Sequence, residues 1–437
     1  MKSLSVNGIF HEKEKFLKSM IKIFFIPLMF LLGVLLVRFV YFASNVHSGN
    51  ETAFWYPRLF SDFTQVAYYS LRKDAYLLEC GSSYSGIALL LTAPFALIFK
   101  KDLDATEYSP DWVEPNMRLL SSYRFWIAFL LYQAIVYSAL YFLIRRQAKR
   151  NELDGKGMFL CFVLSAGVIY TFRRGNNLLV VLSLVLGFLE LRNSERAWKR
   201  ETALILLALS GTMKLYPLFF CAFLLCNRKW FATFRMFLYF LALYFLPMLF
   251  YGGGFSAYLK NLFVFAGGEN RLENLTNISF ASVLYKIFWL IGKVFRFSLP
   301  PRVDMLFMSV GAVFLLFAAV AAVVTKDDFR RGVLSLCAVT LVAPVGYFYI
   351  VIFALIPAAE YLKTYESRSE RSNMLFFVCF LLLGFYPLYA AKLFFVCAAL
   401  LIGLGCVTIF QIFKRGEMRE YISQLSKKIR KDGEESL

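Results

Sequence analysis

Residues 119–150 read LLSSYRFWIAFLLYQAIVYSALYFLIRRQAKR. Arg124 alone interrupts the apolar run from 119 to 144, and Arg145, Arg146, Lys149 and Arg150 close it. A run well past about 18 apolar residues predicts a helix that crosses a bilayer. Basic residues gather on the cytoplasmic side of such helices, so the far end of this one is expected inside. What precedes it then lies outside. Lys2, Lys13, Lys15 and Lys18 hold the N-terminus in, an apolar segment at 21–43 carries the chain out, and 44–118 become one large first extracytoplasmic loop. An apolar stretch within that loop, 87–99, is too short to cross and is expected as a juxtamembrane or partly inserted helix.

The same pattern continues downstream. Spans are expected at 157–172 (outward) and 178–192 (inward, closed by Arg192, Arg196, Lys199 and Arg200). Residues 202–226 read as two short halves broken at Lys214-Leu215-Tyr216-Pro217, because Pro217 removes a helical hydrogen bond and clashes with the preceding turn. Both flanks are basic, so the pair reads as an in-and-out hairpin. A span at 231–251 leads to Gly252-Gly253-Gly254 and a second extracytoplasmic stretch, 252–302, with amphipathic pieces near 255–266 and 278–291. Spans at 303–324, 332–346, 347–362, 373–390 and 392–413 precede a basic cytoplasmic tail, 414–437. The expectation is an all-α polytopic transmembrane bundle of about 10–12 segments, one integral membrane domain over residues 1–437, with both termini cytoplasmic.

Composition agrees. The 437 residues are 59% apolar and 18% aromatic, above the roughly 45–50% apolar content of soluble domains. The net charge of +19 sits in short loops between apolar runs. It reads as topogenic, and no nucleic-acid partner is expected. Cys161, Cys221, Cys337 and Cys397 fall inside apolar runs, with neither disulfide nor zinc spacing. The only histidines are His11 and His47, which argues against a His-based metal site or a Ser-His-Asp triad. No metal and no cofactor is expected. The first apolar run is too long for a cleavable signal, and no internal repeat of the kind common in transporters stands out.

Four polar groups remain for chemistry. In 56–70, YPRLFSDFTQVAYYS, Ser61 could cap a helix with Asp62 in its first turn. Phe63, Val66, Ala67 and Ser70 would share one face and Asp62, Gln65 and Tyr69 another, which predicts an amphipathic helix on the membrane surface. Asp62 could be a general base there, or only a cap. Lys214, inside an apolar stretch beside a helix break, suits a phosphate-bearing ligand, or it snorkels to an interface. Arg173-Arg174-Gly175-Asn176-Asn177 would place paired arginines outside, where they call for an anion; the plainer reading is a tight turn. Asp102-Leu103-Asp104 matches a metal and nucleotide-sugar triplet, but it lies in a loop rich in other acids (Glu107, Asp111, Glu114) and such short matches arise by chance. Asn50, Asn274 and Asn277 head N-x-S/T triplets, which matter only in a secretory-pathway host.

Taken in order, these pieces resemble the GT-C glycosyltransferases, in particular glycosyltransferase family 87. Asp62-Phe63 and Tyr68-Tyr69 are similar to the family's first-loop pattern. The stretch from Tyr84 to Pro94 matches its next helix in part, lacking both prolines after the tyrosine. Arg174-Gly175-Asn176 resembles its Arg-Gly-Gln/Asn turn, Lys214 through Pro217 its Lys-x-x-Pro break, and Asn277-Ile278-Ser279 its late Asn-x-Ser. One departure stands out: where the family carries histidines, this chain reads Ala343-Pro344-Val345-Gly346-Tyr347-Phe348-Tyr349, with Tyr347 or Tyr349 left to hydrogen-bond instead. The resemblance implies an inverting transfer of a hexose, mannose above all, from a polyprenyl-phosphate donor to an extracytoplasmic lipid or glycan, at the bacterial cytoplasmic membrane. It implies Asp62 as general base, and Arg173, Arg174, Asn176, Asn177, Lys214, Tyr216, Arg271, Tyr347 and Tyr349 on the donor. Gln65, Tyr69 and Tyr84 would serve the acceptor. The rival readings are a transporter or flippase of lipid-linked glycans and a structural subunit of an envelope-assembly complex.

Overall fold

Among the described residues the long apolar runs are helical. The computed structural model describes residues 59–78, 81–106, 113–150, 154–267, 277–296, 303–342, 348–363, 376, 379–380, 383–384 and 394–434. The expected span at 21–43 and most of that at 373–390 lie outside them, as do Arg271 and Tyr347. Among the described residues there is no strand. In chain order the main helices are α1 (Ser61–Ser70), α2 (Gly86–Ala96), α3 (Val113–Leu120), α4 (Tyr123–Arg150), α5 (Gly155–Val163), α6 (Ala166–Arg174), α7 (Leu178–Leu191) and α8 (Ala197–Met213). There follow α9 (Trp230–Phe245), α10 (Gly254–Gly267), α11 (Phe280–Phe295), α12 (Val303–Val324), α13 (Asp328–Leu341), α14 (Leu355–Lys363), α15 (Phe394–Lys414) and α16 (Glu417–Glu434). Three described helices, Tyr123–Lys149, Trp230–Phe250 and Val303–Val324, are long and apolar enough to cross a membrane, or five spans if each bent pair counts as one.

Where the expected spans fail, a local cause is visible. The span at 157–172 is two helices bent by 58°. α5 ends at Val163 and α6 starts afresh after Ser165, whose extended backbone (φ −69°, ψ 148°) breaks the ladder. The two halves at 202–226 are unequal. α8 begins earlier, at Ala197, and runs to Met213, four residues before Pro217, where the proline ring stops it. Pro217 then opens the first turn of a 3-10 segment, Tyr216–Cys221. The expected crossing at 347–362 is a 3-10 turn, Phe348–Ala354, followed by the short α14. The tail, expected only as basic, forms α16, held by Arg330 to Glu417 (2.8 Å) and Lys326 to Glu420 (2.5 Å).

The hairpin of α7 and α8 sets the frame. α7 has 14 residues, about 21 Å of helix, and joins two polar ends. Its first turn follows Asn176 and Asn177; its last precedes Arg192. At the Arg192 end, Arg146 pairs with Glu190, Arg192 with Asp328 (2.9 Å), and Lys229 donates to Asn193 (3.1 Å). The C-termini of α4 and α7 and the N-termini of α9 and α13 therefore meet there. α8 leads to Lys214 at the opposite end, and 216–229 bring the chain back beside Asn193, as a hairpin should.

α1 overturns one expectation. It does not lie on a surface: nine of its ten residues are buried and Gln65 is half-buried. Its cap differs as well. Phe60 precedes the helix in the left-handed region (φ 56°) and no side chain caps it, so Ser61 lies within the first turn. An aromatic nest holds it inside. Phe60 stacks near Phe129 (4.3 Å between centroids) and edge-on to Phe172 (5.7 Å), while Phe63 packs on Phe129 (5.3 Å) and Tyr132 (5.2 Å). The helix is polar by residue type, yet several of its polar atoms find partners inside the protein. Thr64 donates to Asn116 Oδ1 (2.7 Å) and Ser70 to the Ala67 carbonyl (2.7 Å).

Candidate functional site

The turn after α6 shapes the site. Gly175 ends that helix at φ 63°, a left-handed cap that glycine adopts at no steric cost. It also lets α1 come close. A Cβ at Gly175 would sit 2.8 Å from Phe63 Cβ and 3.2 Å from Phe60 Cα. Phe60 N–H donates to the Arg173 carbonyl at 2.7 Å, locking the start of α1 to the turn. Gly175→Ala combines the left-handed penalty of about 1–2 kcal/mol with a clash against backbone. The expected result is a loss of roughly 2–4 kcal/mol, read as a lower melting temperature of the purified protein.

Asp62 is 5% exposed and held from both sides. Arg174 Nη2 donates to its Oδ1 at 2.7 Å, and Asn176 Nδ2 to its Oδ2 at 2.6 Å. These contacts join positions 112 and 114 residues apart. The Asn176 Oδ1 accepts from Leu178 N–H (3.0 Å), which fixes the amide with its nitrogen toward Asp62. Asp62 is thus no cap, and Arg174 meets its counter-charge within the protein. Tyr349 Oη lies 3.5 Å from Asn176 Nδ2. Lys214 follows α8 in extended backbone (φ −147°, ψ 126°) and its ammonium sits 5.2 Å over the Tyr84 ring. Among the described residues no carboxylate pairs with it, although the Asp62 charge acts on it favourably. Tyr84, Tyr216 and Tyr349 lie within electrostatic range of this group.

The remaining expected residues divide. Asn177, 5% exposed, has neither amide atom hydrogen-bonded among the described residues. Arg173 contributes its carbonyl to the turn, and its side chain is half-buried. Tyr216 packs edge-on to Phe353 (6.2 Å). Gln65, one turn along α1 from Asp62, is half-buried, and Tyr69 is buried against Tyr68 (5.7 Å). The D-x-D triplet is engaged elsewhere: Asp102 accepts from Ser122 (2.8 Å) and faces Arg124 (3.6 Å), while Asp104 pairs with Lys100. Asn277 is buried, its Oδ1 accepting from Ser279 N–H (2.9 Å) ahead of α11. Its carbonyl takes a hydrogen bond from Lys286 (2.7 Å), whose ammonium burial lowers to about 8.

One positioning residue carries no sequence signal. Asn116 on α3 accepts from Thr64 and donates to the Leu59 carbonyl (2.8 Å), tying down both sides of the Phe60 turn. It follows an acid-rich loop and matches no motif. Asn116→Ala removes the bond to Thr64, whose hydroxyl keeps the Ser61 carbonyl (3.1 Å), and takes the amide donor from the Leu59 carbonyl, at about 1–3 kcal/mol. A melting curve should show that loss, and Thr64→Val, which leaves the Asn116 bond to the Leu59 carbonyl in place, should lose less.

With this geometry in view, the sequence model of glycosyltransferase family 87 matches residues 83–345, more than half of the chain. The chain belongs to glycosyltransferase family 87. No curated protein and no solved structure matches it. A family 87 chain is a membrane glycosyltransferase, which needs a sugar donor and an acceptor. Arg174, Asn176, Lys214 and Asn277 fall inside the matched span; Asp62 lies before it, and reaches the family region through its contacts with Arg174 and Asn176.

Proposed function

We propose that this family 87 chain transfers a hexose, mannose by preference, from a polyprenyl-phosphate donor to a hydroxyl of a lipid or glycan acceptor, with inversion. Asp62 is the general base. The acceptor oxygen attacks the anomeric carbon, its proton passes to the Asp62 carboxylate, and the bond from that carbon to the phosphate oxygen breaks with its electron pair leaving on phosphate. Each carboxylate oxygen keeps a lone pair beyond the hydrogen bond it accepts. A phosphate needs positive charge to leave, and no proton donor. Lys214, which has no carboxylate of its own among the described residues, supplies it with Arg174. On this reading the Asn177 amide and the Tyr349 hydroxyl are assigned to sugar hydroxyls, and Gln65, Tyr69 and Tyr84 to the acceptor side.

The observation that carries this reading is the convergence of Asp62, Arg174, Asn176, Tyr349 and Lys214, from four separate segments, at one end of the α7–α8 hairpin. The basic loops at the other end support an Asp62 end that faces away from the cytoplasm, and with it we propose that both termini lie inside and that the setting is the bacterial cytoplasmic membrane. The test incubates membranes holding the protein with radiolabelled polyprenyl-phosphate-mannose and scores label in the glycolipid fraction. Label transferred with consumption of donor supports the reading. Donor moved across the bilayer intact, or left untouched, overturns it.

A further inference from the structure

At the Arg192 end, a cleft of about 380 Å³ opens between the loop after α7, the start of α8 and the start of α9. It holds no part of the Asp62 group. Arg192, Asn193, Ser194, Arg200, Lys229 and Arg235 provide its polar lining, and no carboxylate belongs to that lining. Their partners are few. Arg235 pairs with Glu201. Arg200 donates only to the Ser194 and Glu195 carbonyls (3.1 and 2.7 Å), and Lys229 only to the Asn193 amide oxygen. Neither Arg200 nor Lys229 has an acid among the described residues.

Arg192 is the informative one. Its side chain is 8% exposed, stacked on Phe223 at 4.2 Å, and it spends one nitrogen, Nη2, on Asp328. Nε and Nη1 are buried with no hydrogen-bond partner. Glu360 and Arg331 are the other charges near enough to act on it. A buried guanidinium with unmet donors costs free energy unless an acceptor meets them. Topogenesis accounts for basic residues at a helix end, but not for a buried arginine that keeps two idle donors beside its Asp328 pair. Arg192 lies between this cleft, whose lining has no carboxylate, and a neighbouring one that includes Glu190, Asp328 and Glu360. The rim adds a second constraint. Trp198, Trp230, Phe231 and Phe234 are all more than half exposed around the starts of α8 and α9. Such aromatics mark the headgroup level of a bilayer.

We propose that this cleft binds the phosphate headgroup of an anionic membrane lipid. Arg192 meets the phosphate oxygens with its idle donors, Arg200 and Lys229 supply charge, and the acyl chains run along the exposed aromatic rim. The site is some 21 Å of helix away from Asp62 and takes no part in sugar transfer.

The experiment titrates the purified full-length protein, in uncharged detergent, with dioctanoyl phosphatidylglycerol, dioctanoyl phosphatidylcholine or inorganic phosphate, and reads binding by thermophoresis. The paired surface variant R200Q/K229Q is compared with the native protein, because Arg192→Gln removes a buried guanidinium that packs on Phe223 and pairs with Asp328, and so disturbs the fold. Phosphatidylglycerol should bind the native protein more tightly than phosphatidylcholine. The double variant should bind phosphatidylglycerol about 25-fold more weakly, at about fivefold per charge removed. Equal affinity in the variant overturns the proposal. So does inorganic phosphate binding as tightly as phosphatidylglycerol, which would make the cleft a site for a free anion.

Discussion

Asp62→Asn is expected to lower sugar transfer by about 10²–10⁴-fold, the range that a positioned general base contributes. The substitution changes few atoms but two relationships. Arg174 loses its counter-charge, and an amide nitrogen set toward Asn176 would bring donor against donor. Breaking a buried pair by removing one partner can cost about 3–5 kcal/mol; the partly exposed Arg174 side chain, at 30%, brings the figure toward the lower end. Lost activity could therefore be lost fold. The double variant Asp62→Asn/Arg174→Gln separates them, since it removes both charges together. It should recover most of the melting temperature while transfer stays at the floor. Transfer near the native rate in a folded Asp62→Asn protein would remove the base assignment.

Lys214→Met should cost about 10²–10³-fold in transfer, comparable to removing one donor that stabilises charge in a transition state. Here the fold is the lesser concern. The ammonium makes no ion pair among the described residues, and methionine keeps much of the length that lies over Tyr84. The melting temperature should hold. Donor competition assays, in which the native protein and the variant are inhibited by a polyprenyl phosphate lacking sugar, give the second readout. Weaker inhibition of the variant is expected if Lys214 meets the phosphate. Undiminished transfer would mean that Lys214 is a lysine at an interface and nothing more.

Helices whose identity rests on local periodicity were legible. The expected 303–324 is α12 to the residue, and 178–192 is α7 with one residue to spare. The stop at Met213 follows from proline stereochemistry four residues on. What sequence reasoning missed depends on partners far along the chain. The burial of α1 rests on Phe125, Phe129 and Phe172 and on the amide of Asn116, none of them visible from SDFTQVAYYS. The Arg174 pairing with Asp62 is invisible in the sequence because the two lie 112 residues apart. Gly175 lets α1 come close to the turn, a contact that the turn's own sequence does not announce. The bend at Ser165 has no proline to announce it, and α16 was hidden in a charged tail whose acid partners a buried arginine, Arg330.

The lengths of the helices have a consequence for the bilayer. α7 and α13 are each 14 residues, about 21 Å, too short for a hydrocarbon layer of about 30 Å. Neither has an exposed residue, so both pack mainly against protein. The spans at Tyr123–Lys149, Trp230–Phe250 and Val303–Val324 are different: only 39%, 28% and 39% of their most apolar windows are buried. These take up hydrophobic mismatch, by tilting when the acyl chains shorten. The Asp62 group, set where the short inner helix α7 begins, is insulated from that adjustment. Membrane thickness then governs how the outer helices lean, while the distances among Asp62, Arg174 and Asn176 stay as the protein alone sets them.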